Sequence, residues 1–441
     1  MFKYCGVLFL LILPVMATAQ TADVPVIDSV STDFISVATE EPYTTTLAVY
    51  GSNLDYLLFN PVTASIGPLV GTVLSGNDAG VNISFTIDSA LLTERESSYP
   101  LQVSIDGVVL AESSDLSLFN PFVGSYVRQY PQQYLNSITH PHQRNKETIG
   151  LNVHETLGGD AELDDLYVQR LADSNTVWVR EHISYEDVMG DNSEAWLKRY
   201  DQTFLQYRDH NQRVVVMLAY GTGNDVYRQP DSWKQFVRLM VKRYRNYVDA
   251  WEIWNEPDSS SYLSPHSNWK TYRPILKAGS EIVRQYDADA IVLPGAVSDL
   301  TSVTFTKQLY QHGRRYFDDF NLHPYYCDEY VANGKSLDQL SADVEQILQV
   351  VQRYRTDERI WVTEFGCSTG AEGVTNKIVK QYIKQGSKVL LSNDQVGPIL
   401  LYTFRDRTYL TTDPYEAYFG LMDENLVPKP VWRWYKQLAR D

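Results

Sequence analysis

Three cysteines in 441 residues are too few for a disulfide scaffold, and Cys5 lies near the start of the chain. Domains of this chain must therefore be held mainly by their apolar cores. Long apolar runs are scarce as well. Val7 to Val15 is the one marked stretch, too short to span a bilayer comfortably, and no later segment is long and apolar enough. Positive charge is in deficit: 38 Lys and Arg stand against 55 Asp and Glu, a net charge of −17. That balance argues against nucleic acid or an anionic membrane as a partner. It does not exclude anionic polysaccharides, because a local cleft can differ from the global charge.

The first residues read as an export signal. Lys3 supplies the positive end, Val7–Val15 the apolar core, and Ala17-Thr18-Ala19 a small-residue cleavage site. Cys5 precedes the apolar core, so it does not have the place of a lipid-anchored cysteine. The expectation is removal of residues 1–19 and a soluble protein in the periplasm or outside the cell. Oligomeric state is not legible.

Residues 20–120 read as a small β-sandwich. Thr45–Tyr50, Val81–Ile87 and Leu101–Ile105 alternate apolar and polar side chains, with turn clusters such as Gly51-Ser52-Asn53 and Asp106-Gly107 between runs. No exposed aromatic row can be picked out, so a spacer is preferred here to a glycan-binding module. Residues 121–147 read as a linker. His140-Pro141-His142 within it has the look of a metal pair, but no carboxylate or Cys stands at ligand spacing.

From residue 148 the pattern changes. Strand-like runs at 149–153, 176–179, 213–219, 248–254, 290–293, 319–323, 359–363 and 396–404 alternate with amphipathic helical stretches. Eight such units over 148–441 predict a (β/α)8 barrel, an α/β fold of about 250 residues. A doubly wound sheet is the alternative, but no Gly-rich phosphate loop follows the first strand.

A barrel gathers its site from the residues that follow each strand. Read in order, those positions hold Arg180 after strand two, Trp254-Asn255-Glu256-Pro257 after strand four, and His323-Pro324-Tyr325-Tyr326 after strand six. Strand seven supplies Thr363-Glu364 and strand eight Tyr402-Thr403-Phe404-Arg405-Asp406. Two carboxylates, a cation, an amide, an imidazole and several rings form the mixture that sugars need. A nearby guanidinium keeps a nucleophilic carboxylate ionised, which makes Arg180 the natural partner of Glu364. The acid must instead hold its proton, through partial burial and repulsion from its ionised partner.

The constellation resembles clan A glycoside hydrolases, the retaining (β/α)8 enzymes that include cellulases and β-xylosidases. Asn255-Glu256-Pro257 and Thr363-Glu364-Phe365-Gly366 carry the likeness, which extends over 148–441. It implies that Glu256 is the acid/base, Glu364 the nucleophile, and Asn255 the group that bonds the substrate 2-hydroxyl. Tyr325 is then placed to donate to Glu364. His323 is open between contacting a hydroxyl, orienting a carboxylate and simple core packing. Clan members often carry tryptophan as the floor of the cleaved-sugar subsite; here Tyr402 or Phe404 stands there. The segment Pro25–Val30, Leu47–Leu54 and Ala64–Gly67 resembles an immunoglobulin-like IPT/TIG domain.

The implied function is a secreted hydrolase of β-glycosidic bonds in a polysaccharide or oligosaccharide, with no metal and no cofactor required. Transglycosylation by the same residues is the alternative within enzymes. A non-catalytic glycan-binding or adhesion protein ranks behind, since both glutamates are present. Trp178, Trp251 and Trp361 lie inside strand runs and read as core, as do Trp432 and Trp434 on the last helix. Glu181 and His182 are open between cleft and supporting roles. Cys327 and Cys367 follow neighbouring strands, at a spacing compatible with a disulfide. A bridge and two unpaired thiols both remain open.

Overall fold

The computed structural model describes residues 24–32, 34–38, 42–123, 149–153, 161–220, 230–263, 267–300, 303–355, 358–408 and 410–438. The expected export signal and nearly all of the expected linker, with its two histidines, lie outside those residues. The chain divides into two compact units, Met1–Val123 and Gly124–Asp441.

The first unit is all-β. Its strands are β1 (Val26–Val30), β2 (Phe34–Ser36), β3 (Tyr43–Ser52), β4 (Thr63–Ile66), β5 (Leu69–Asn77), β6 (Gly80–Ile87), β7 (Glu96–Ile105) and β8 (Val108–Phe119). They run in the order β1-β3-β6-β5-β4-β7-β8-β2. All pairs are antiparallel except β2 with β8. Alternation does what it predicts: Val81, Ile83, Phe85 and Ile87 on β6 and Leu47 and Val49 on β3 are buried. Asp106 and Gly107, both at positive φ, make the two-residue turn between β7 and β8. The unit is consistent with the immunoglobulin-like module that its strand pattern suggests.

The second unit is the barrel. Its strands are β9 (Ile149–Asn152), β10 (Trp178–Ser184), β11 (Arg213–Ala219), β12 (Ala250–Ile253), β13 (Ile291–Pro294), β14 (Phe320–Leu322), β15 (Ile360–Phe365) and β16 (Val396–Leu401). All pair in parallel in the order β13-β12-β11-β10-β9-β16-β15-β14. The gap between β13 and β14 is bridged just beyond the strand ends. There Val297 donates to the Asn321 carbonyl at 3.2 Å and His323 donates to the Val297 carbonyl at 2.9 Å. Helices Ala161–Ala172, Ser193–Asp209, Pro230–Tyr244, Trp269–Tyr286, Thr304–Gly313, Asp338–Gln352, Asn376–Leu390 and Pro430–Leu438 follow the strands in turn.

Side chains fill the barrel in layers. Trp178, Val215, Ala250, Leu293, Trp361 and Leu400 form an apolar plug, with the rings of Trp178 and Trp361 edge to face at 5.1 Å. Trp178, Trp251 and Trp361 are core, as expected, whereas Trp434 is only half-buried. Trp432 is buried as well, against Phe404 and Tyr435. One expectation needs correction: β10 does not end at Arg180 but runs on to Ser184. Continuous pairing of Trp178 through Ser184 with Arg213 through Ala219 extends it.

Candidate active site

Two residues beyond the plug, Arg180 on β10, Glu252 on β12 and Thr363 on β15 make the barrel interior polar. Arg180 on β10 is 2% exposed and donates to five side chains, those of Asn152, Met217, Glu252, Asn255 and Glu364. Its Nε donates to Glu252 Oε2 at 2.7 Å and its Nη2 to Glu252 Oε1 at 3.2 Å. Its Nη1 donates to Glu364 Oε1 at 2.6 Å and to Asn152 Oδ1 at 2.8 Å, while Nη2 also reaches Asn255 Oδ1 at 3.3 Å. Burial alone would lower the guanidinium pKa, but Glu252 and Glu364 outweigh it and raise it. Arg180 is a permanent cation between two carboxylates.

Glu364 reaches the site through a bulge. Between Val362 and Phe365 strand β15 advances three residues while its partner β16 advances two, from Ile399 to Leu401. The extra residue lets the consecutive side chains of Thr363 and Glu364 both enter hydrogen bonds inside the barrel. Tyr325 donates to Glu364 Oε2 at 2.8 Å, as the sequence suggests. Burial pushes the Glu364 carboxyl up, but His323, Arg180 and the two donated bonds prevail and hold it below its ordinary 4.5. Burial and the Glu364 charge push Tyr325 well above 10, so it remains a donor.

Glu256 leaves strand geometry altogether. After β12 ends at Ile253, Trp254 and Glu256 adopt φ of 78° and 41°, the left-handed region that non-glycine residues rarely occupy. Strain of this kind persists only where the surroundings enforce it. Here Tyr272, whose hydroxyl donates to the Ile253 carbonyl at 2.6 Å, clamps the strand end. His323 Nδ1 lies 2.7 Å from Glu256 Oε1 and 3.7 Å from Glu364 Oε2. One oxygen of Glu256 and one of Glu364 lie within 4.8 Å of each other.

The network assigns the His323 tautomer. Thr363 Oγ1 donates to Glu252 Oε1 at 3.3 Å and accepts from Asn321 Nδ2 at 3.1 Å. Its oxygen therefore accepts from His323 Nε2 at 2.9 Å, which places a hydrogen on Nε2. The Nδ1···Glu256 contact then carries one proton, shared between imidazole and carboxylate. Burial lowers the His323 pKa, but Glu364 and Glu256 more than compensate and raise it above 6.5. His323 is thus neither simple packing nor a bystander to the carboxylates.

Tyr402 faces the site and Phe404 does not. The Tyr402 ring stands edge-on to Tyr325 at 6.3 Å and to Phe419 at 5.3 Å, and its hydroxyl meets Arg407. Phe404 packs into the core against Tyr167 and Trp432. Tyr220 and Tyr262, unremarked in the sequence, add a second aromatic wall beside Trp254, with rings 6.0 Å and 6.3 Å from Tyr220.

Glu252, Asn152 and Asn321 are the residues that strand-end reading misses. Each lies inside a strand, where side chains normally count as core. A signal was present for one: a glutamate within Trp251-Glu252-Ile253 must find a cation if that strand is buried on both faces. Glu181 and His182 are separated by the pleat. Glu181 turns outward and accepts from Tyr207 on the flanking helix at 2.7 Å, which gives it a supporting role. His182, like Arg180, turns inward.

Glu256, His323 and Glu364 are the one group among the described residues with metal-ligand spacing. A dication there would displace the proton between Glu256 and His323 and face the Arg180 guanidinium across Glu364. The donor set does not fit a resident metal.

Cys327 and Cys367 are disulfide-bonded, their Cα atoms 5.4 Å apart, which settles the pairing that sequence left open. The bridge closes a separation of 40 residues and ties the helix after Tyr325 to the segment after Glu364. A loop of that length contributes about 4 kcal/mol in the chain-entropy account. Reduction is expected to lower the barrel's melting temperature by roughly 5–10 °C. Calorimetry with and without reductant, alongside thiol titration of the denatured protein, checks this; two free thiols before reduction would contradict it.

Residues 216–435 match the family described as glycosyl hydrolase catalytic core. None of the curated proteins matches the chain. Among solved structures, a β-glucuronidase from Ruminococcus gnavus with a C6-substituted uronic isofagomine is 15% identical, covers 94% of this chain and 68% of its own, and superposes with a TM-score of 0.51. The same enzyme with D-glucuronic acid gives 15%, 94%, 68% and 0.50. A family 39 glycoside hydrolase from Bacteroides cellulosilyticus WH2 is 13% identical, with 92% and 81% covered and a TM-score of 0.48. At this identity the two β-glucuronidase structures show a shared fold.

Proposed function

We propose, for a chain that is a glycoside hydrolase, a retaining double displacement on β-glycosidic bonds with Glu364 as nucleophile and Glu256 as acid/base. One observation carries the reading. The two carboxylates approach within 4.8 Å and are differently served, Glu364 by a guanidinium and a phenol, Glu256 by an imidazole. Retaining pairs stand about 5–5.5 Å apart, whereas inverting pairs leave about 6.5–9.5 Å for a water.

In the first step a Glu364 oxygen attacks the anomeric carbon while the bond to the leaving oxygen breaks. The proton held between Glu256 and His323 goes to that oxygen through Glu256. His323, Arg180 and Tyr325 keep Glu364 anionic until the ester forms. Loss of that charge makes Glu256 the base for the second step, in which water gives it a proton and attacks the anomeric carbon. The ester bond breaks and Glu364 is restored. Asn255, oriented by Arg180, is placed for the 2-hydroxyl, and Tyr402 for the floor of the cleaved-sugar subsite. The N-terminal run and the bridge between Cys327 and Cys367 both support export to an oxidising compartment.

Proton NMR of the first product formed tests the reading: retention is expected, and an inverted anomer would overturn it. The substrates for that test come from a panel of β-linked polysaccharides and aryl β-glycosides. β-Glucuronides belong in it, because the fold is shared with a β-glucuronidase.

A pH profile follows from the same geometry. Glu364 has a depressed pKa, so its carboxylate persists down through 4.5 and is lost only below. The His323 side of the shared proton has a raised pKa, so that proton persists up through 6.5 and is lost only above. The kcat/KM profile should be a bell with its acid limb below 4.5 and its alkaline limb above 6.5. An alkaline limb below 6.5 would contradict the shared-proton assignment.

A further inference from the structure

Glu256 sits in left-handed backbone, a strained state that persists only where the flanking chain is held. Tyr272 holds the flank before it, at Ile253. The same hydroxyl accepts from the Gly295 N–H at 2.6 Å, so it joins the end of β12 to the end of β13. Just past that point the two chains touch. A Cβ on Gly295 would stand 2.9 Å from Pro257 Cδ and 3.1 Å from the Trp254 carbonyl oxygen. Two residues after Glu256, the half-buried Asp258 makes a second connection. Its Oδ2 accepts from the backbone N–H groups of Ser298 at 3.1 Å and Asp299 at 2.9 Å. Its Oδ1 accepts from the same Ser298 N–H at 3.2 Å and from the Ser298 hydroxyl at 3.4 Å. Successive backbone N–H groups that converge on one carboxylate make a strong, directional anchor.

We propose that Asp258 is a positioning residue for the acid/base, and that it sets the contact between Glu256 and His323. This deepens the retaining-hydrolase reading and rests on it. The reason is a closed circuit of bonds. Asp258 holds the Ser298 N–H, and the carbonyl of Val297, next in the chain, accepts from the His323 N–H at 2.9 Å. His323 Nδ1 in turn lies 2.7 Å from Glu256 Oε1. The loop that carries Glu256 is thus fixed to the same backbone that fixes His323. Without the Asp258 carboxylate that loop loses its second anchor, and the Glu256 backbone can relax out of the left-handed region. Its carboxyl then moves away from the shared proton and from the leaving oxygen. Glu364 takes its own bonds from Arg180 and Tyr325 and makes no use of this anchor. The loss therefore falls on proton delivery and not on nucleophilic attack.

The test grades the need for a proton. Wild type, Asp258→Ala and Asp258→Asn are compared in kcat/KM on aryl β-glycosides of the preferred sugar. The series runs from 2,4-dinitrophenol, which leaves unaided, to phenol, which needs the acid. Because kcat/KM reports on the first bond cleavage, the later base role of Glu256 does not enter. Asp258→Ala should lose about tenfold or more on the phenyl glycoside and about twofold or less on the dinitrophenyl one. Asp258→Asn, which keeps one acceptor oxygen, should lose less than Asp258→Ala but with the same slope across the series. It carries the comparison alone if the alanine variant does not fold. Equal losses on every leaving group would mean a general disturbance and overturn the proposal, as would no loss at all. A wild type that cleaves none of the glycosides overturns the hydrolase reading and this one together. An active wild type, with variants that show no dependence on the leaving group, overturns only the role of Asp258.

Discussion

Replacing Glu364 by alanine is expected to abolish turnover of every glycoside, a loss of at least about 10⁴-fold in kcat. The nucleophile forms the bond that both steps depend on, and its two donors, Arg180 and Tyr325, cannot substitute for it. Glu256→Ala should behave differently. On a natural substrate it should lose about 10²–10⁴-fold, the usual contribution of a positioned general acid. With an activated aryl leaving group, which departs without a proton, the first step should be largely spared. Burst kinetics with 2,4-dinitrophenyl glycosides separate the two variants. Equal losses for both on the activated substrate would exchange or remove the assigned roles.

Arg180→Met should cost both stability and activity. It takes the guanidinium from Glu252, which is fully buried, and leaves Glu364 with His323 as its remaining positive partner. Removing one partner of a buried ion pair typically costs about 3–5 kcal/mol, because the remaining charge is stranded. Catalysis should fall by about 10²–10³-fold, since Glu364 loses the group that keeps it ionised and aligned. Arg180→Lys keeps the charge but has no planar fork to serve Glu252, Glu364 and Asn152 at once, and should fall between. Thermal unfolding of the barrel unit with kcat/KM on the same preparations decides this. A methionine variant as stable and active as the wild type would remove Arg180 from the site's framework.

What the sequence by itself determined is what depends on local period and local chemistry. Runs of apolar residues alternating with amphipathic stretches defined eight strand–helix units, and most of the expected boundaries lie within two or three residues of those observed. Glu256 and Glu364 stood out because a carboxylate after an apolar run is conspicuous in any fold. The tertiary structure decided what depends on side-chain direction and on partners distant in sequence. Arg180 and Glu252 are 72 positions apart and meet only because the barrel brings their strands' inner faces together. The bulge that turns Thr363 and Glu364 inward is a mismatch of pairing between β15 and β16, invisible in either strand alone. Glu181 and His182 are chemically plausible site residues in one dimension. The pleat sends one to the helix layer and the other to the barrel mouth, because direction alternates along a strand and only the closed sheet defines which direction is inside.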